Sequence, residues 1–377
     1  MLDKTMRLII FRLSQLTMRK FLVMLLAGLF FAAANAQPIT ENLVIITFDG
    51  LRWQELFGGA DEVLISDKSF NADTAETKKK FWAATPEERR KILLPFIWDT
   101  VAKHGQLHGN RHSGNFVNVR NPYRISYPGY NEIFTGYPDS LIASNDKKEN
   151  RNVTVLEFLN NQPSMNGRIA AFASWDVFNF IFNKKTCGFP VNAGIDPVNL
   201  NSPRFTLLNE MQKTTFQPFG KGIRPDLLTY YLAKEYLLVK KPRVLYIGFD
   251  DTDDWAHNGK YDYYLEAAKQ TDSFLHDLWN TMQGMPEYKN KTTFLIATDH
   301  GRGDKVKKEW RDHGKKIKGA DEIWLAFLGD GIPAKGEVKK AAQLYQSGIA
   351  QTIAQFLGFT FTALHPVDKY LELITTD

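Results

Sequence analysis

Six residues in four places could do chemistry in this chain of 377 residues. Asp49 closes the run IITFDG. Asp253 and His257 stand four apart in FDDTDDWAHNG. Asp299 and His300 are adjacent in LIATDHGRG, and His313 lies in WRDHG. Three carboxylates and three imidazoles are enough for two metal sites, and zinc accepts both donor types while keeping a position open. A pair of such ions can grip the attacking and leaving oxygens of an in-line displacement. Each fragment alone has a bland reading: Asp-Gly and Asp-His are common turns, and a lone histidine is commonly a surface residue. The ordered set carries the reading. Asp250 competes with Asp253 inside the DDTDD cluster, but the spacing to His257 favours Asp253.

A dinuclear site also needs a nucleophile. Ser126 precedes Pro128 and a short helical pattern that ends at Gly136 (SYPGYNEIFTG). A hydroxyl at a helix N-terminus sits in positive potential and can approach an anion. A divalent ion beside it would lower its pKa, making Ser126 both a metal contact and the nucleophile. The competing reading is a plain N-cap.

The elements that must position these groups are legible too. Apolar runs at Leu43–Phe48, Arg168–Ser174, Val244–Phe249, Thr293–Ala297 and Ile323–Leu328 each stop at or near an acidic residue or glycine. Short runs of this kind suit buried strands of a mostly parallel sheet. Thr85-Pro86-Glu87-Glu88 is a capping-box helix start, with the helix running toward Gly105 and bent at Pro95. Asp262 to Met282 is amphipathic. Strand–helix alternation predicts an α/β layer fold, in which ligands bind at the carboxyl ends of strands. Segments 58–85 and 178–225 fit the alternation less well and are expected to be insertions or caps. Trp175, Phe178, Phe180 and Phe182 read as core in preference to a stacking platform.

Residues 1–36 have a basic start, an apolar run from Phe21 to Ala33 and an Ala34-Asn35-Ala36 site, the pattern of a secretory signal peptide. Met18 is an alternative start. The expectation is a single catalytic domain over 37–377, exported to the periplasm or medium, with no stable membrane association after cleavage. The formal charge of +5 includes five basic residues and one acid in that segment, so +1 remains without it. Lys78–Lys80 and Arg89–Lys91 sit among glutamates and read as solvated helix faces, not as a nucleic-acid surface. The single Cys187 excludes an internal disulfide and a cysteine-based metal site.

The order Asp49, Ser126, Asp253…His257, Asp299-His300, His313 resembles the alkaline phosphatase superfamily. VIITFDGLRWQELF, SYPGYNEIFTGYPD, YIGFDDTDDWAHNG and ATDHGRG are most similar to its type I phosphodiesterase/nucleotide pyrophosphatase branch, over Leu43 to about Gly331. The resemblance implies a three-layer α/β/α sandwich with a mostly parallel central sheet and cap insertions. It implies two divalent ions, zinc or alternatively manganese: one held by Asp253, His257 and His313, the other by Asp49, Asp299 and His300. Ser126 would be the nucleophile of a phosphate ester hydrolase working through a phosphoserine, on a small-molecule phosphodiester or phosphomonoester.

There are departures from that pattern. The branch usually carries Thr where Ser126 stands, and Asn where Gly129 stands. An Asn beyond the nucleophile helix donates to the phosphoryl group in the branch; Asn145 is the nearest counterpart, with Asn150 and Asn152 competing. Arg124, Lys148, Arg302 and Arg311 are candidate anion contacts that also read as surface or structural residues. Sulfatases share the fold, but Ser126-Tyr-Pro-Gly-Tyr130 lacks the Arg of their formylglycine motif. A phosphonate hydrolase, a phosphomutase-like enzyme and a non-catalytic binding protein are the remaining alternatives.

Overall fold

Strand β1 (Asn42–Phe48) is completely buried, and its alternate residues feed two different cores. Val44, Ile46 and Phe48 enter one; Leu43 and Ile45 enter the other. A strand apolar on both faces must be covered on both. The computed structural model describes residues 38–373; the signal peptide expected over 1–36 lies outside the described residues. From Pro38 onward the chain forms one compact unit.

The further strands are β2 (Gly105–His108), β3 (Asn115–Asn118), β4 (Ile169–Ala173), β5 (Val191–Ala193) and β6 (Val244–Phe249), followed by β7 (Thr292–Thr298), β8 (Glu322–Ile323), β9 (Leu325–Gly329), β10 (Gly336–Glu337) and β11 (Ala342–Tyr345). Eight of them form a sheet in the order β10-β2-β9-β7-β1-β6-β4-β5, and β11-β3-β8 form a second. The centre of the large sheet is parallel, and β9 runs antiparallel to both β2 and β7. The helices used below are α1 (Pro86–Leu93), α2 (Ser126–Thr135), α3 (Pro203–Thr214), α4 (Asp226–Lys240), α5 (Asp251–His257), α6 (Tyr261–Gln283) and α7 (Ile349–Phe356). Leu265, Ala268, Leu275, Leu278 and Met282 of α6 close the first core, while Tyr130, Ile133 and Phe134 of α2 and Ile349 and Ile353 of α7 close the second. The expected three-layer α/β/α sandwich is therefore present.

Two expectations need correcting. The run Ile323–Leu328 is not one strand. Trp324 is fully buried and donates its indole N–H to the Leu51 carbonyl (2.8 Å), and there the chain leaves the small sheet for the large one. Arg89 and Arg90 are half-buried and not on an open helix face: their guanidinium groups lie over Trp82 and Trp98, 4.2 and 3.5 Å from the ring centroids. Such stacking is open to Arg because its planar group is weakly hydrated.

Other expectations hold in whole or in part. The Thr85–Glu88 capping box opens α1 as expected, but the helix does not bend at Pro95 and run on toward Gly105: it ends at Leu93, and separate helical turns follow over Ile97–Val101 and Ala102–His104. Lys78, Lys79 and Lys80 are exposed. Phe178 and Phe182 are core, packed with Tyr246. Residues 191–193, inside the second segment expected as an insertion, add the edge strand β5 beside β4.

One buried base makes stability depend on pH far from the site. Burial on β2 pushes the His108 pKa down to about 4. The ring stays neutral when folded, while the unfolded chain gains a proton near pH 6.5. This contribution is therefore fully present above pH 6.5 and is lost as pH falls toward 4. A shift of this size is worth about 3 kcal/mol. His108→Phe is expected to flatten the acid side of the Tm–pH curve over that window; an unchanged slope would count against it.

Candidate metal centre and nucleophile

Register brings the acidic residues together. Phe48 pairs with Phe249 on one side and Thr298 on the other. Asp49, Asp250 and Asp299 therefore leave adjacent strands side by side at their carboxyl ends. Helix α5 begins at once after β6 and carries Asp253 and His257 on successive turns. Gly50, at φ 58°, completes the turn after β1; a side chain there would strike Arg302 and Asp253.

His300 is the hub. It is wholly buried, and its Nδ1 donates to the Gly301 carbonyl (3.1 Å). That leaves Nε2 free as a ligand atom. Around Nε2 lie Asp49 Oδ1 at 3.3 Å, Asp299 Oδ2 at 3.4 Å, Asp253 Oδ1 at 3.7 Å and Ser126 Oγ at 3.3 Å. The His313 ring stacks on it with centroids 3.8 Å apart. His313 Nε2 is 3.7 Å from Asp253 Oδ1 and 2.9 Å from His257 Nε2, and His257 Nε2 is 3.1 Å from Asp253 Oδ2. Asp49, Asp299 and His300 form one group with ligand atoms within 4.8 Å of one another, and Asp253, His300 and His313 form a second.

The donor set fits divalent cations. Asp49 Oδ2 accepts from the Tyr130 hydroxyl (3.0 Å), and Asp299 Oδ1 accepts from Gly50 N (3.0 Å). The other oxygen of each carboxylate, Asp49 Oδ1 and Asp299 Oδ2, is buried with no hydrogen-bond partner. Buried polar atoms are seldom left bare, and these two face the same imidazole. Burial, and then the charge of Asp253 on Asp49 and of Asp49 on Asp299, push both carboxyls well above the usual range. A bound cation removes that repulsion. Burial also lowers the His300 and His313 pKa values, which favours the neutral, metal-binding imidazole. For Asp253, burial opposes ionisation, but the Arg302 guanidinium and then His257 outweigh it and hold the carboxyl well below its ordinary value.

Ser126 is the first residue of α2 and is not its cap; Ile125 holds the cap position. The hydroxyl is thus free of a capping bond and faces His300. Gly129 allows this approach: a Cβ there would lie 2.6 Å from the Asp299 carbonyl oxygen. A residue with a side chain at this position would push α2 off the DH turn. Asn145 accepts from Tyr127 N (3.0 Å), which anchors its carboxamide at the first turn of α2. Asn150 and Asn152 are buried and donate elsewhere, to Ile181 O and to Asn131 and Asp139. Of the candidate anion contacts, Arg302 is ion-paired with Asp253 and donates to Gly50 O and Arg311 O. Arg124 meets Asp321, and Lys148 meets Asp146. Arg311 lies against Gly259.

Several contributors had no motif to announce them. Tyr130 is one helical turn after Ser126, so its position on the same face could have been read from spacing. Gln346 donates to the Thr298 and Asp299 carbonyls, and Thr252 donates to the Asp49 carbonyl. These contacts span distances in sequence that no local pattern records.

The model of the type I phosphodiesterase / nucleotide pyrophosphatase family matches residues 60–318. The chain belongs to this family. It is a phosphoric ester hydrolase of the alkaline phosphatase superfamily, whose members use divalent metals. The matched range holds Ser126, Asp253, His257, Asp299, His300 and His313, and Asp49 lies ahead of it. No curated protein sequence matches the chain. Among solved structures, wild-type alkaline phosphatase PafA is similar at 12% identity, covering 90% of this chain and 100% of that one with a TM-score of 0.58. The lipoteichoic acid synthase LtaP from Listeria monocytogenes aligns at 11% identity, over 86% and 73% of the two chains, with a TM-score of 0.54. A 2-O GAG sulfatase aligns at 13% identity, over 86% and 72%, with a TM-score of 0.50. At these identities the likeness is one of fold.

Proposed function

We propose that this hydrolase cleaves a small phosphate ester, a diester or a monoester, through a covalent phosphoserine at Ser126. The reading rests on one juxtaposition: Ser126 Oγ and two unpartnered buried carboxylate oxygens surround the same His300 Nε2. Two divalent ions, zinc in first place and manganese in second, are assigned to Asp253, His257 and His313 and to Asp49, Asp299 and His300. Bound there, they would neutralise phosphoryl charge and acidify the Ser126 hydroxyl.

The chain's own residues do the rest. The N-terminus of α2 favours the anion at Ser126. Ser126 Oγ bonds to phosphorus as the ester alcohol departs with the electrons of its P–O bond and gains a proton. Water then adds to phosphorus, releasing Ser126 as a hydroxyl and the phosphate product. Asn145, with its oxygen held by Tyr127 N, presents its amide hydrogens to a non-bridging oxygen. Oriented donors of this kind are where phosphoryl transfer gains most. The protein is proposed to act after export; among the described residues no helix is long and apolar enough to cross a membrane.

The test is a metal-reconstituted assay on bis-p-nitrophenyl phosphate, p-nitrophenyl phosphate, a phosphonate ester and p-nitrophenyl sulfate. Turnover of one of the two phosphate esters at least about 100-fold above the sulfate is expected, because an unconverted Ser126 lacks formylglycine chemistry. Preference for the sulfate or the phosphonate would overturn the reading.

A further inference from the structure

Arg124 is a non-glycine residue with φ 54°, and it stands two positions before Ser126. That region favours glycine, and other residues hold it when local hydrogen bonds compensate. The compensation comes from Asn121. Its Oδ1 accepts from Arg124 N (2.8 Å) and Tyr123 N (3.1 Å), an Asx turn wound over the left-handed residue. The Asn121 side chain is itself held. Its Nδ2 donates to Glu132 Oε2 (3.0 Å) and its backbone N–H to the same oxygen (2.7 Å). Asn121 and Glu132 are both buried, and Glu132 belongs to α2, the nucleophile helix.

The turn faces the metal centre. The Arg124 carbonyl accepts from His313 Nδ1 at 3.1 Å. A carbonyl can only accept, so Nδ1 carries the hydrogen and Nε2 is left toward Asp253 and His257. Outer partners of this kind set the tautomer and ring angle of a metal-binding histidine. The Arg124 side chain points to another job, pairing with Asp321 Oδ1 at 3.3 Å.

We propose that Asn121 is a positioning residue: through the left-handed turn at Arg124 it orients His313 for metal binding, and through Glu132 it ties that turn to the helix that carries Ser126. One buried network thus sets a metal ligand and the nucleophile together. The inference rests on the reading of His313 as a ligand.

The full chain is stripped of metal and titrated with zinc against a chromophoric chelator, as wild type, H313A, N121A, N121A/R124G, N121S and N121S/R124G. Tm is recorded for each metal-free protein. N121A is expected to weaken one of two zinc ions by about 10–100-fold, the usual size of an outer-partner loss. R124G is expected to recover most of that affinity in both Asn121 backgrounds, since glycine adopts positive φ without support. A role confined to stability would lower Tm and leave zinc affinity unmoved. Unchanged zinc binding in H313A would overturn the ligand reading itself. Weakened binding in H313A with wild-type affinity in N121A, or no recovery by R124G in either background, would overturn the positioning role alone.

Discussion

Ser126→Ala is expected to lower turnover of the best phosphate ester by at least about 10⁴-fold, the scale on which losing a covalent nucleophile is felt. Bound metal is expected to stay near the wild-type amount. The substitution is structurally mild. Ser126 is not the cap of α2, so no capping bond is lost, and alanine is the best helix former. What goes is the Oγ lying 3.3 Å from His300 Nε2. Ser126→Thr keeps a hydroxyl there and is expected to retain measurable activity. Rapid-quench labelling with a phosphorus-32 ester should trap a phosphoprotein in wild type and none in the alanine variant. Full turnover in Ser126→Ala would sink the covalent route.

The second large effect is on metal content. Asp299→Ala and His300→Ala are each expected to cut bound metal from about two equivalents to one or fewer. The remaining affinity should fall by more than the roughly 10–100-fold seen for outer partners. His300 should be the more damaging change, because its Nε2 stands in both groups of converging ligand atoms. Asp299→Ala also frees Gly50 N, the donor that closes the turn after β1. Elemental analysis of the purified variants decides the matter. Wild-type stoichiometry in either would refute the ligand assignment, whatever the activity does.

Most of this site was legible because its residues are tied to strand ends. A buried strand announces itself by an apolar run, and the residue after it must emerge at the sheet's edge. Asp49, Asp299 and the DDTDD cluster follow from that rule alone. The central strands and α6 were legible for the same reason. The short strands β2, β3, β5, β10 and β11 were not: their residues pair through distant partners, such as Ala342 with Asn115. Local propensity over two to four residues is weaker than such pairing. Trp324 shows the limit from the other side, since an unbroken apolar run conceals a change of sheet.

Gly129 shows how a departure from a pattern can be read only in space. In the sequence it is a missing Asn; in the structure it is the contact that lets α2 rest on the Asp299 backbone. Arg302 is similar. Sequence offers it as a phosphate contact, while folding buries it against Asp253, where its charge keeps a carboxylate ionised.

By itself, the sequence of this protein determined the list of candidate ligands, the candidate hydroxyl, the sheet that carries them and the family pattern they make, because these depend on residue type and near spacing. Tertiary structure decided the rest: that Asp49 and Asp299 each keep one bare oxygen beside the same imidazole, that Asn145 and not Asn150 or Asn152 accepts from the first turn of α2, and that the carbonyl of a left-handed Arg124 meets His313. Those facts depend on which atoms share a buried volume. Burial fixes hydrogen-bond partners and charge states between residues hundreds of positions apart, and no local pattern contains that information.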